Sequence, residues 1–225
     1  MAENDVKHGS SEQVSFQSVV DRLVNEMVGQ MEQPSVKNEV IERVGIQMVR
    51  CGYKMSPWAV NVLADYLRGY NLWLCGRPGA GKTFFFDCMS AVRKSMGYDR
   101  IAKLSMIETQ SWTMESAKDW ADENEDRDVL IDDVGTEPEE MVSYGQRVDL
   151  FQYLLEKRMQ LRRRTHLTSN LGAKDITRRY GLRVADRFVQ MFKMHIYPEL
   201  VDGKKTPSRR TLSPWRTAKS GNGVI

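Results

Sequence analysis

Cysteine is scarce. The three residues Cys51, Cys75 and Cys88 have neither paired spacing nor a histidine cluster beside them, which excludes a disulfide framework and a zinc-ribbon ligand set. They read as reduced, half-buried thiols. Long apolar runs are lacking too: none approaches the roughly 20 residues that span a bilayer. The opening Met1-Ala2-Glu3-Asn4-Asp5 has no apolar core of a secretion signal. A cytoplasmic protein is expected. A dominant charge sign is also missing, since 33 Lys and Arg face 30 Asp and Glu for a net +3. That balance alone does not imply a nucleic-acid partner. The charge is unevenly spread, however, with an acidic stretch at Asp119–Asp128 and basic ones at Arg162–Arg164 and Lys204–Lys219. No internal repeat is visible.

What is present suffices for one α/β domain and an extension: 225 residues, 41% hydrophobic and 28% charged. Residues 1–12 are polar and small and are expected to be disordered. Residues 13–69 read as a helical N-terminal extension. Phe16, Val20, Leu23, Met27 and Met31 form one helical stripe, ended by Pro34-Ser35, and Val40, Ile41, Val44 and Met48 form a second. Ser56-Pro57 starts a third helix, a capping serine before a first-turn proline, which runs to about Leu67 and stops at Gly69. These stripes either pack on the main domain or carry a partner-binding face.

From Asn71 short apolar strands alternate with longer helices. The expected strands are Leu72–Cys75, Ile101–Leu104, Val129–Ile131, His166–Ser169 and Lys193–Ile196. Helices are expected near Lys82–Met96, Glu108–Glu123, Arg147–Leu161 and Asp175–Val189. Such alternation implies a parallel five-stranded sheet flanked by helices. It defines a domain over 70–198, with a basic tail over 199–225.

The first strand runs into Gly76-Arg77-Pro78-Gly79-Ala80-Gly81-Lys82-Thr83 and then a helix, the context of a phosphate-binding loop. Glycines let the backbone amides close around phosphate oxygens, and the helix start adds its positive end. ATP and magnesium are the implied cofactors, with Lys82 reaching the β- and γ-phosphates and the Thr83 hydroxyl holding the metal. The strand Val129-Leu130-Ile131 ends in Asp132 and Asp133, at the sheet edge where the loop also lies. Asp132 would hold magnesium through water and Thr83, and Asp133 would polarise the attacking water.

Together, Gly76–Thr83, Ile131-Asp132-Asp133-Val134-Gly135 and Leu167-Thr168-Ser169-Asn170-Leu171 resemble the AAA+ ATPases of the DnaC and IstB type. Tyr180-Gly181-Leu182-Arg183-Val184-Ala185-Asp186-Arg187-Phe188 is similar to their arginine-finger helix. The resemblance covers about half the chain, from Asn71 to Phe188. It implies that Asn170 is the polar sensor that orients water near the γ-phosphate. It implies also that Arg187, assisted by Arg183, enters a neighbouring subunit's ATP site, which requires an oligomer, ring or filament. Departures are an aspartate at 133, where many of these proteins carry glutamate, and little or no lid domain. Arg209 and Arg210 are weak candidates for a second arginine sensor.

The implied function is a DnaC-like helicase loader in DNA replication, hydrolysing ATP and binding a replicative helicase and single-stranded DNA. The alternatives are an IstB-like transposition helper ATPase, a small P-loop kinase, and a DNA-binding scaffold whose ATP site only stabilises the assembly. Lys157-Arg158, Arg162–Arg164 and Lys204–Arg216 could supply phosphate contacts. Trp112, Trp120 and Trp215 could stack on bases, though helically spaced aromatics more often serve the core.

Overall fold

Five short parallel strands carry the fold: β1 (Leu72–Cys75), β2 (Ala102–Ser105), β3 (Val129–Val134), β6 (Thr165–Ser169) and β7 (Lys193–Ile196), in the order β2-β3-β6-β1-β7. The computed structural model describes residues 36–138, 141–143, 146–198, 200–201 and 204–205. The expected first helix, the polar start, Arg209, Arg210, Trp215 and most of the basic tail lie outside the described residues. Every residue of β1 and β6 is buried, as befits central parallel strands covered on both faces.

Strand alternation sorts the core onto the two faces. Leu72, Leu74 and Leu130 join one cluster with Val44, Met48, Val62, Leu63, Phe85 and Phe86. These come from helices α1 (Asn38–Arg50), α2 (Pro57–Leu67) and α3 (Lys82–Ser95). Trp73, Leu104, Ile131 and Leu167 join the other cluster with Ala117, Phe151, Leu154 and Phe188. Here the covering helices are α4 (Met114–Glu123), α5 (Leu150–Leu161) and α6 (Ala173–Met191). Each fully buried Leu or Phe contributes about 1.5–3 kcal/mol. Helices α1 and α2 thus share a core with β1 and α3.

Local chemistry sets the helix ends. Ser56 accepts the Ala59 N–H at 3.3 Å and Pro57 takes the first turn of α2. Thr113 caps α4 and Asp149 caps α5, accepting from Ser116 and Gln152. Two expected helices are shorter than anticipated. A 3-10 turn, Met106–Ser111, precedes α4, because Thr113 starts a fresh helix. Helix α5 begins at Leu150, because Arg147 belongs to β5 (Gln146–Val148), the antiparallel partner of β4 (Met141–Ser143). A further two-stranded pair, β8 (Leu200–Val201) and β9 (Lys204–Lys205), follows β7.

Helix α6 is broken in the middle. Gly181 has φ 80° and ψ 172°, a conformation that glycine adopts without a Cβ penalty.

Candidate nucleotide site

Strands β1, β3 and β6 end side by side, and the loops leaving them form the site. After β1 the chain turns through Gly79 and Gly81, both at positive φ, and enters α3 at Lys82. The Lys82 ammonium donates to the carbonyls of Gly76 at 2.7 Å and Arg77 at 3.1 Å, and to Asn170 Oδ1 at 2.9 Å. These three acceptors are neutral oxygens, and they orient the ammonium towards the loop. The contact also brings together the loop lysine and the polar residue after β6, which lie 88 residues apart.

The acids reach the loop by a bulge. Ile131 pairs with Leu167 and Val134 with Ser169, so Asp132 and Asp133 together oppose Thr168. The extra residue is accommodated by Asp133 at φ 58°, a left-handed conformation that aspartate tolerates better than most side chains. Thr168 knits the bulge. Its hydroxyl donates to Asp132 Oδ1 at 2.5 Å and accepts the Asp133 N–H at 2.9 Å. Thr83 Oγ1 donates to the same Asp132 oxygen at 2.8 Å. On the far side, Lys103 Nζ stands 3.4 Å from Asp132 Oδ2 and 3.3 Å from Asp87 Oδ1. The loop beyond is closed by Thr136, whose hydroxyl donates to Asp133 O at 2.8 Å. Ser169 Oγ donates to Val134 O at 2.6 Å, stapling the β3 and β6 loops.

Glu137 is not available as a water-activating base. Its carboxylate is buried and accepts the Gly135 N–H at 2.9 Å and the Tyr180 hydroxyl. Burial, and then Glu137 itself, push the Tyr180 phenol far above its usual range.

Arg183 and Arg187 are not assembled with the loop. Both turn to Glu156 on α5: Arg187 pairs with it directly and Arg183 stands 3.5 Å away. Arg183 is 72% exposed and Arg187 21%. A hydrogen bond from Gln152, and then Arg187, hold the Glu156 carboxyl below the usual range.

The donor set fits magnesium nucleotide. The hydroxyl of Thr83 and the carboxylate of Asp132 are hard oxygen ligands. Within the loop, Arg77 Nε and Nη2 are buried without a hydrogen-bond acceptor among the described residues, which suits an anionic ligand.

Neither a protein-family model nor a curated protein matches the sequence. Among solved structures, AMPPCP-bound DnaA from Aquifex aeolicus matches with a TM-score of 0.51 and 18% identity. The match covers 67% of this chain and 50% of that one. The chain shares the fold of that structure, a parallel sheet flanked by helices with a phosphate-binding loop after the first strand. The chain spans half the length of that DnaA chain. A crystal structure of the DnaC helicase loader matches at 19% identity over 79% of this chain and 99% of that one, with a TM-score of 0.46. The DnaI structure matches at 16% over 83% and 88%, also with a TM-score of 0.46.

Within this fold, several residues escaped the sequence reading. Thr168 is a hydroxyl in an otherwise covered strand, and only its neighbour across the sheet, Asp132, reveals its purpose. Lys103 gave no signal, because a lysine on an edge strand is ordinarily a solvated one. Trp112 and Trp120 pack on the core, 6.5 Å apart.

Proposed function

We propose that this chain is an ATP-binding and ATP-hydrolysing AAA+ protein that acts in DNA replication as a DnaC-like helicase loader. The observation that carries the nucleotide reading is the meeting of Lys82, Thr83, Asp132 and Asn170 at one edge of the sheet. The loader reading is supported by the ordered motifs from Gly76 to Arg187 and by the AAA+ fold.

The roles follow from chemistry. Gly76, Arg77, Gly79, Ala80 and Gly81 turn amides towards the phosphates, and Pro78, which has no N–H, fixes the backbone between them. Lys82 exchanges its carbonyl acceptors for β- and γ-phosphate oxygens, a stronger charge-assisted bond. Thr83 and Asp132 would hold magnesium, which would supply positive charge against the charge developing on the phosphoryl group. Asp133 orients and polarises the attacking water, and Asn170, beside the Lys82 ammonium, holds that water in line. Arg187, with Arg183 a turn earlier, leaves Glu156 to meet the ATP of a neighbouring subunit in a homo-oligomer.

Partner recognition is read from the family resemblance: a replicative helicase and single-stranded DNA, in the cytoplasm. Among the described residues no helix is long and apolar enough to cross a membrane.

Two measurements test the reading. Lys82→Ala is expected to fold and to lose tight ATP binding; unchanged affinity sinks the site. In pull-downs with ATP, a replicative helicase is expected on the beads, and a transposase in its place would overturn the loader assignment.

A further inference from the structure

Asp132 is the carboxylate that the nucleotide reading assigns to magnesium, and its two oxygens are not equivalent. Oδ1 already accepts two hydroxyls, Thr168 at 2.5 Å and Thr83 at 2.8 Å, which occupy both lone pairs of a carboxylate oxygen. A water on a bound metal would therefore find its acceptor in Oδ2. That oxygen faces Lys103, whose Nζ stands 3.4 Å away.

Lys103 has a second seat. The same ammonium donates to Asp87 Oδ1 at 3.3 Å. Asp87 lies on α3 one turn beyond Thr83, so β2, β3 and the helix leaving the phosphate-binding loop meet at a single cation. The two seats differ in their access to water. The Asp132 side chain is 6% exposed and that of Asp87 is 50% exposed. Lysine carries its charge on a flexible four-carbon stem, which passes between acceptors this close without moving the strand. Two cations compete for one oxygen and repel each other across a few ångströms. With a divalent cation beside Thr83 and Asp132, Lys103 would give up Oδ2 and settle on Asp87.

We propose that Lys103 is a positioning residue that competes with magnesium for Asp132, with Asp87 as the seat it takes when the metal binds. The chain then grips magnesium nucleotide less tightly than its loop and acids alone would. This rests on the nucleotide-site reading.

The test is calorimetric titration of the full chain with AMPPCP at low salt, in EDTA and in saturating magnesium chloride. The ratio of the two dissociation constants reads the contribution of the metal. Lys103→Met keeps most of the stem and removes the charge, and is expected to raise that ratio about fivefold. Lys103→Arg keeps the cation and should stay within about twofold of wild type. Asp87→Asn takes away the outer seat and is expected to lower the ratio about threefold. In a Lys103→Met background the same change should have less effect, because no cation is left to seat. Screening should shrink the Lys103→Met effect to under about twofold in roughly 1 M salt, which a purely structural role for the side chain would not do. A Lys103→Met ratio equal to or below that of wild type overturns the competition, and an unchanged ratio in Asp87→Asn overturns the outer seat. A wild type that fails to bind AMPPCP, or binds it equally in EDTA and in magnesium, overturns the site reading itself, and the competition with it.

Discussion

The two ends of the sheet are both rich in cations, yet they treat them differently. At the end where β1, β3 and β6 finish, Lys82 rests on neutral oxygens beside a glycine turn. At the opposite end, where β6 begins, the arginines are consumed by the fold. Arg158 is 1% exposed and donates to Thr165 Oγ1 and to the carbonyls of Asn124, Arg127 and Arg164 at 2.7–3.0 Å. Arg164 lies 4.4 Å over the Tyr66 ring and donates to the Tyr66 carbonyl at 2.7 Å. Arg163 pairs with Asp126, and Lys157 with Asp122. The basic runs that read as phosphate contacts are therefore largely structural in Lys157–Arg164. Charge along a sequence does not say where a guanidinium will point; a loop that must wrap phosphate does, because its backbone fixes which residues fit.

The sharpest break of this contrast is at Arg187, the proposed finger. Arg187→Ala is expected to bind ATP as the wild type does and to hydrolyse it about 10³-fold more slowly. Asp133→Asn should likewise keep ATP bound and stop turnover. Mixing the two proteins should restore some hydrolysis, because an interface can then pair an intact Asp133 with an intact Arg187. If the mixture stays dead and the wild-type rate per chain does not depend on protein concentration, the site is complete within one chain.

At the other end the largest expected effect is on stability. Burial pulls the Arg158 guanidinium down to about 10, and it still makes buried bonds to the Asn124 carbonyl and Thr165 Oγ1. Arg158→Met fills the volume but leaves those two buried acceptors without their donor, at about 1–3 kcal/mol each before relaxation. A loss of several kcal/mol is expected from urea midpoints, with nucleotide affinity unchanged in the folded fraction. A loss under about 0.5 kcal/mol, the range of an ordinary surface substitution, would return Arg158 to the surface set.

His166 adds a pH dependence between the two ends. It lies inside β6 between the rings of Tyr66 and Phe86, and its Nδ1 accepts the Leu72 N–H at 3.2 Å. Burial, reinforced by Arg164 and Arg93, holds its pKa well below the usual value. The folded chain keeps it neutral while the unfolded chain protonates it near pH 6.5. Stability is then fully present above that pH and falls below it, by up to about 1.4 kcal/mol per pH unit. Urea midpoints at pH 7.5 and 5.5 measure this. His166→Asn, which retains an acceptor, should flatten the difference, and equal slopes in both proteins would remove His166 as its source.

Much of this was legible beforehand for a physical reason. Four of the five strands were placed to within a residue at each end, because central parallel strands are short apolar runs with helices between them, while β3 runs past the expected Ile131 to Val134. Ser56-Pro57 announced α2, because capping and first-turn geometry are local. The bulge at Asp132-Asp133 was not legible: nothing in a two-residue period tells a strand to admit an extra residue, and only Thr168 across the sheet explains it. The break at Gly181 was overlooked for a related reason, since one glycine within a helical stripe reads as tolerated rather than as a joint. Glu137 was visible as an acid after the strand, but its partner Tyr180 stands 43 residues away.

The smallest expected effect tests the arginines left at the β6 start. If single-stranded DNA bound along this edge through Arg162, Arg163 and Arg164, neutralising all three would flatten the plot of log affinity against log salt by about 2, at roughly 0.7 per phosphate contact. The structure leaves less to lose. Arg163 is engaged with Asp126 at 2.5 Å, and Arg164 is held by Tyr66. Arg162 is exposed, at the left-handed end of α5 with φ 51°. Only it points to solvent without giving up a contact, so the triple substitution should change the slope by about 0.7 or less. Fluorescence anisotropy with a labelled oligo-dT across a salt series measures it, with the urea midpoint checked alongside because Arg164 also supports the fold. A change near 2 in a protein of wild-type stability would show that Asp126 and Tyr66 release their arginines to phosphate. The edge remote from the nucleotide would then be the DNA face after all.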